Sequence, residues 1–170
     1  MFIEVTKIPP EGLAIDRALS LRPIVQSNGE PAPVEAVGLS GSLRRSDPDV
    51  VFRGRVVAVV SLSCSRCLAP FRLEVSGECS RIYRPGPLGA RPGEGEMKEE
   101  DLALTPFDGA RINLEEIAEE ELYLMIPLKP LCRESCQGLC PHCGADRNLV
   151  SCRCSESSGQ SQALSLKIPL

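Results

Sequence analysis

Eight of the chain's nine cysteines fall into close groups, and such groups order a chain only when something holds their sulfurs together. Cys64 and Cys67 form one Cys-x-x-Cys pair, and Cys132, Cys136, Cys140, Cys143, Cys152 and Cys154 crowd into one later stretch. Cys79 stands apart from both groups. Eight clustered thiols match two tetrahedral four-sulfur sites, a pattern that speaks for metal. A secreted disulfide scaffold is the rival. The N-terminus, Met-Phe-Ile-Glu-Val-Thr-Lys-Ile-Pro-Pro, lacks the basic region and apolar stretch of a signal peptide. No run of apolar residues is long enough to cross a bilayer. The expected setting is therefore the cytoplasm, where thiols stay reduced and serve as ligands.

Hydrophobic periodicity around these groups predicts a β-rich chain. Residues 1–8 alternate as a strand. Residues 9–33, broken by five prolines, predict irregular chain with one helical turn near Ile15–Leu19. Residues 35–45 alternate again, with Val37, Leu39, Gly41 and Leu43 on one face. Ser46-Asp47-Pro48-Asp49 is a turn signal. Val50 to Ser63 follows as a long strand whose inner face holds Val50, Phe52, Gly54, Val56, Ala58, Val60 and Leu62. After the Cys64–Pro70 turn, Phe71, Leu73 and Val75 open another strand that runs toward Tyr83. Pro85–Asp101 is a Pro-, Gly- and Glu-rich loop, and one or two short strands fit Leu102–Ile112. Asn113 caps a helix to residue 126, with Glu116 three residues on as in a capping box. Pro127 and Pro130 stop it. The expected fold is α+β and mostly β: a twisted antiparallel sheet or small open barrel, one main helix, and a C-terminal Cys-rich zinc-ribbon-like module. The boundaries are a core domain over 1–126, a zinc module packed on it over 127–154, and a disordered tail over 155–170.

Cys140-Pro141-His142-Cys143-Gly144 is the strongest metal-binding turn. Proline stiffens it, and glycine admits the positive φ that points backbone amides at the sulfurs. Cys152 and Cys154 lie close enough to complete a site with Cys140 and Cys143. Cys64, Cys67, Cys132 and Cys136 would then form the second. A compact Cys132–Cys136–Cys140–Cys143 site, leaving Cys64 and Cys67 to Cys152 and Cys154, also fits the spacing. Eight thiolates filling two sites leave no open position for chemistry, so two structural zinc ions are expected and catalysis is not. Iron accepts the same four-sulfur geometry. Cys64-x-x-Cys67 is followed by strand rather than helix, against a thioredoxin-like redox role. Cys79 reads as a small core residue.

Charge is uneven. Residues 1–92 carry a net +3, residues 93–126 a net −9 and residues 127–170 a net +2. Arg44, Arg45, Arg53, Arg55, Arg66 and Arg72 are candidate RNA-phosphate contacts, since guanidinium forks suit phosphate. The acidic block is the candidate surface for a basic protein partner instead.

Cys-x-Arg-Cys-Leu-x-Pro-Phe, then Ile112-Asn113-Leu114 at the head of an acidic helix, Pro127-Leu128-Lys129-Pro130-Leu131-Cys132, and Gly138-Leu139-Cys140-Pro141-His142-Cys143-Gly144 occur in that order. Together they make residues 35–154 resemble the bacterial YceD family, the large ribosomal RNA subunit accumulation proteins, which have plastid relatives. The resemblance implies a role in the synthesis, processing or stability of 23S ribosomal RNA, with no known catalytic activity. It carries metal ligation onto all eight clustered cysteines. The implied partner is 23S ribosomal RNA or a large-subunit assembly intermediate, met directly or through a ribosomal protein, with no membrane and no small-molecule substrate. The Ser-rich tail after Cys154 departs from the family pattern.

Overall fold

The computed structural model describes residues 1–26, 28–86, 104–152 and 154. The tail over 155–170 and nearly all of the loop over Pro85–Asp101 lie outside the described residues. The chain divides into two compact units. The first takes in Met1–Leu62 and Phe71–Leu128; the second takes in Ser63–Pro70 and the described residues from Lys129 onward.

The first unit is a twisted mixed sheet with one main helix. Its strands are β1 (Phe2–Glu4), β2 (Leu13–Leu19), β3 (Ile24–Val25), β4 (Pro31–Ala32), β5 (Val34–Ser46), β6 (Asp49–Ser63), β7 (Pro70–Pro85), β8 (Leu104–Phe107) and β9 (Arg111–Asn113). The helix α1 is Leu114–Met125. Five strands pair in the order β2-β5-β6-β7-β8, while β1 pairs with β9 and β3 with β4. Asp47 and Pro48 turn β5 into β6, and Ser46 sits opposite Asp49.

β6 follows the alternation written in its sequence. Val50, Phe52, Val56, Ala58, Val60 and Leu62 are all buried, with the intervening residues more open. Val37, Leu39 and Leu43 of β5 join them, as do Leu114, Ile117, Ala118 and Leu122 of α1 and the lone Cys79 of β7. A methyl on Gly77 of β7 would stand 2.6 Å from the Met125 sulfur, so the missing side chain makes room for the last turn of α1. Asn113 caps α1, its side-chain oxygen accepting from the Glu115 amide at 3.1 Å.

Three expectations change. The strand over residues 1–8 ends at Glu4, and Val5–Lys7 form a 3-10 turn. Its partner β9 has only three residues, so there is no edge for a longer strand to pair with. The helical turn at Ile15–Leu19 is strand β2, paired antiparallel with β5 from Leu13–Leu43 to Leu19–Val37. That long-range ladder outweighs local propensity, and Arg17 had broken the alternation that would have shown it. Finally, the five-stranded sheet is mixed rather than antiparallel, because β8 runs parallel to β7.

Candidate metal centres

The second unit is organised by two Cys-x-x-Cys turns of the same construction. In the first, the Cys64 amide donates to the Ala69 carbonyl at 3.0 Å, and the Leu68 amide donates to the Cys64 carbonyl at 2.9 Å. In the second, the Cys140 amide donates to the Ala145 carbonyl at 2.8 Å, and the Gly144 amide to the Cys140 carbonyl at 2.9 Å. The residue after the second cysteine has positive φ in both: +60° at Leu68 and +72° at Gly144. Glycine tolerates that conformation; leucine is held in it at a torsional cost. The recurring Cys-x-x-Cys is thus a recurring backbone, not only a recurring spacing.

The sulfurs gather into two groups of four: Cys64, Cys67, Cys132 and Cys136, then Cys140, Cys143, Cys152 and Cys154. Of the two groupings that spacing allows, this is the one that joins Cys64 and Cys67 to Cys132 and Cys136 rather than to Cys152 and Cys154. Within each group all sulfurs lie within 4.8 Å of one another. Cys64 and Cys136 sulfurs stand 3.8 Å apart, as do those of Cys67 and Cys132. A tetrahedron of thiolates around zinc, with bonds of about 2.3 Å, separates its sulfurs by about 3.8 Å. A disulfide needs about 2 Å. Both groups therefore fit a metal ion, and all nine cysteines are free of disulfides.

The electrostatics of each group begin with its first cysteine. Burial works to raise the Cys64 thiol, but amide donors from Cys132, Cys67 and Arg66 outweigh it and bring the pKa down to about 6. Cys140 also falls to about 6, chiefly because the Cys143 and His142 amides point at its sulfur. The opposite thiols move the other way. Burial and then the neighbouring sulfurs push Cys132 up to about 12, and Cys143 above all pushes Cys154 up to about 12. Each cluster thus offers a ready thiolate, and it needs a cation to strip the remaining protons.

Two side chains and one glycine build the surroundings of the first cluster. The Arg66 guanidinium donates to the carbonyls of Cys136 at 2.9 Å and Glu134 at 3.3 Å, while its own carbonyl accepts from the Leu139 amide. Gly138, at φ +69°, lies against that turn; a methyl there would stand 2.9 Å from the Arg66 carbonyl oxygen. The Asn148 amide approaches the Cys136 sulfur at 3.5 Å, and its oxygen accepts from the Gln137 amide at 2.8 Å. Asn148 carried no signal in the sequence, because nothing local tells a loop asparagine from one beside a sulfur. The exposed His142 contributes its backbone, and its ring belongs to neither group of ligand atoms.

The candidate arginines separate by partner. Arg66 serves the first cluster. Arg55 pairs with Glu78 at 2.9 Å, and Arg72 with Glu35 at 2.6 Å. Arg44, Arg45 and Arg53 come together on one open groove of the sheet. Part of the acidic block is already matched, since Glu120 and Glu121 face Arg81. Residues 93–103 of that block lie outside the described residues. Among the described residues, no helix is long and apolar enough to cross a membrane.

A family profile described as Large ribosomal RNA subunit accumulation protein YceD matches residues 52–167, a span that holds all eight clustered cysteines. The chain belongs to the YceD family. Curated relatives carry part of the same sequence. Uncharacterized proteins of Mycobacterium tuberculosis and Mycobacterium bovis are each 34% identical over 97 residues, covering 56% of this chain and 44% of the relative. The chloroplastic YCED homolog 1 of Zea mays, named a large ribosomal RNA subunit accumulation protein, is 27% identical over 124 residues, covering 59% of this chain and 42% of the relative. The chain thus matches less than half the length of these relatives. No solved structure matches.

Proposed function

We propose that this chain acts in the accumulation of large-subunit ribosomal RNA, 23S in a bacterial host, as a non-catalytic assembly factor held together by two zinc ions. The observation that carries this is the family match, which spans both Cys-x-x-Cys turns and the helix between them. The donor sets support zinc as a structural ion: four thiolates fill a tetrahedral shell and leave no position for substrate or water. Zinc would be held by Cys64, Cys67, Cys132 and Cys136, and by Cys140, Cys143, Cys152 and Cys154. A cytoplasmic setting agrees with eight free thiols.

Depletion of the protein should lower 23S relative to 16S ribosomal RNA, measured by RNA electrophoresis and ribosome profiles. Wild-type chain should restore the ratio, and a Cys64→Ser, Cys140→Ser double variant should not. An unchanged 23S level after depletion would sink the proposal. The alternative, a module that docks a basic ribosomal protein on the acidic helix, has less support. Glu120 and Glu121 are engaged by Arg81, and Glu115 by the N-terminal amine.

A further inference from the structure

Four of the sheet's arginines are matched to carboxylates across strands or to α1: Arg55 to Glu78, Arg72 to Glu35, Arg81 to Glu120, and Arg84 to Asp49. Three are not. Arg44 and Arg45 at the end of β5 and Arg53 on β6 have no ion pair among the described residues, and they line one open groove of about 560 Å³ with Ser42, Ser46 and Val51. Register places Arg44 and Arg53 on one face, while Arg45, opposite the buried Val50, joins the groove from the next position on β5. Ser42 lies opposite Arg53 and Arg44 opposite Val51, so these side chains stand on the outer face of the β5–β6 hairpin.

The neighbouring carboxylates leave this charge standing. Asp49 at the mouth of the hairpin is taken by a two-pronged pair from Arg84, at 2.8 and 2.7 Å. Asp47 in the adjoining turn is one carboxylate against three guanidiniums. Backbone shape also favours the groove. Gly12, at φ +99°, passes beneath Arg44, and a methyl there would meet the Arg44 Cγ at 2.9 Å. The bare glycine lets the stem of Arg44 lie flat across the start of β2.

We infer that this groove binds the phosphodiester backbone of RNA, an inference that rests on the proposed role in ribosomal RNA accumulation. Guanidinium forks donate in pairs to phosphate oxygens, and the hydroxyls of Ser42 and Ser46 add donors without charge. An acidic protein segment would meet the same arginines, but a repeating anion suits three cations set side by side along two strands. No aromatic ring lines the groove, so it has no platform for stacking bases. Contact is therefore with the backbone, independent of sequence and steeply dependent on salt.

The test uses zinc-loaded full-length chain and labelled single-stranded RNA of mixed sequence, followed by fluorescence anisotropy over a salt series. Wild type should bind at low salt. The Arg44→Ala, Arg45→Ala, Arg53→Ala variant should lose roughly tenfold or more in affinity, and its plot of log K against log salt should flatten by about 1 for each phosphate contact removed. Arg55→Ala and Arg72→Ala should bind like wild type, and Gly12→Ala should weaken binding by displacing Arg44. A triple variant that binds as tightly as wild type, with circular dichroism showing both folded, overturns the groove assignment. So does a wild type that ignores RNA at low salt yet binds polyglutamate. If the groove binds RNA but depletion leaves 23S unchanged, the accumulation role fails while the groove stands.

Discussion

Leu68 and Gly144 occupy the same step of two like turns, and they make the torsional cost of that step measurable. Leu68 is largely exposed, so little packing holds it at φ +60°. Leu68→Gly should stabilise the zinc-loaded protein by about 0.5–1 kcal/mol in denaturant titrations, the relief of left-handed strain less the entropy glycine loses on folding. Gly144 has open space around it, so Gly144→Ala should cost only the torsional penalty of about 1–2 kcal/mol. Gly138→Ala should cost more, because the added methyl also meets the Arg66 carbonyl oxygen. A destabilised Leu68→Gly variant would contradict this account. The thiols give a second residue-scale prediction. At pH 7 Cys64 and Cys140, both near 6, are already thiolates. Zinc loading should therefore release fewer than four protons per ion at pH 7, and the number should rise as pH drops below about 6 and these two hold protons that metal must displace. A pH-indicator titration in weak buffer reads this directly.

At the scale of elements, the helix and the long hairpin each rest on one polar anchor. Asn113→Ala removes the side-chain acceptor of the Glu115 amide and should lower stability by about 1 kcal/mol. Asn113→Asp should restore most of it. Asp49 opens β6 and receives both prongs of Arg84 from the far end of β7. Hydrogen bonding from Arg84 outweighs burial and holds the Asp49 carboxyl below its ordinary 3.8. A carboxyl lowered on folding stabilises the native state above its unfolded pKa, and that contribution is lost as pH falls through the lowered value. Asp49→Asn should accordingly reduce stability at neutral pH and make the loss of stability below pH 3.8 shallower. Identical acid limbs for variant and wild type would rule out the ion pair as a contributor.

At the scale of the whole molecule, the grouping of sulfurs predicts which cysteines fail together. Native mass spectrometry of wild type should find two zinc ions. Replacing Cys64 and Cys132 together by serine should remove one ion, because both serve the first cluster. Replacing Cys64 and Cys143 should remove both, because they serve different clusters. Loss of both ions from the first variant would favour the other pairing that spacing allows, in which Cys64 and Cys132 serve different centres. Arg66→Ala should speed zinc loss to a chelator from the first cluster by freeing the Cys136 and Glu134 carbonyls.

Much of this was legible in the chain. The β6 alternation from Val50 to Leu62 named its buried face residue by residue, because a strand between two neighbours turns every second side chain the same way. Asn113 marked the helix start, since capping is a local bond. The eight clustered cysteines announced two four-sulfur sets, because thiols in such numbers and spacing suit little else. Other features depended on partners distant in sequence. β2 was hidden because its ladder with β5 is long-range and Arg17 interrupts the local pattern. The parallel seating of β8 beside β7 is a matter of topology, which hydrophobic alternation does not encode. Six candidate arginines were equal in sequence; three became a groove and three became partners of Glu78, Glu35 and the Cys136 carbonyl only once strands and turns were brought together. The cysteines follow the same division. Sequence by itself determined which residues are candidate ligands, through the chemistry of the thiol, while the tertiary structure decided which four group together, because sulfurs far apart in the chain must come within 4.8 Å of one another.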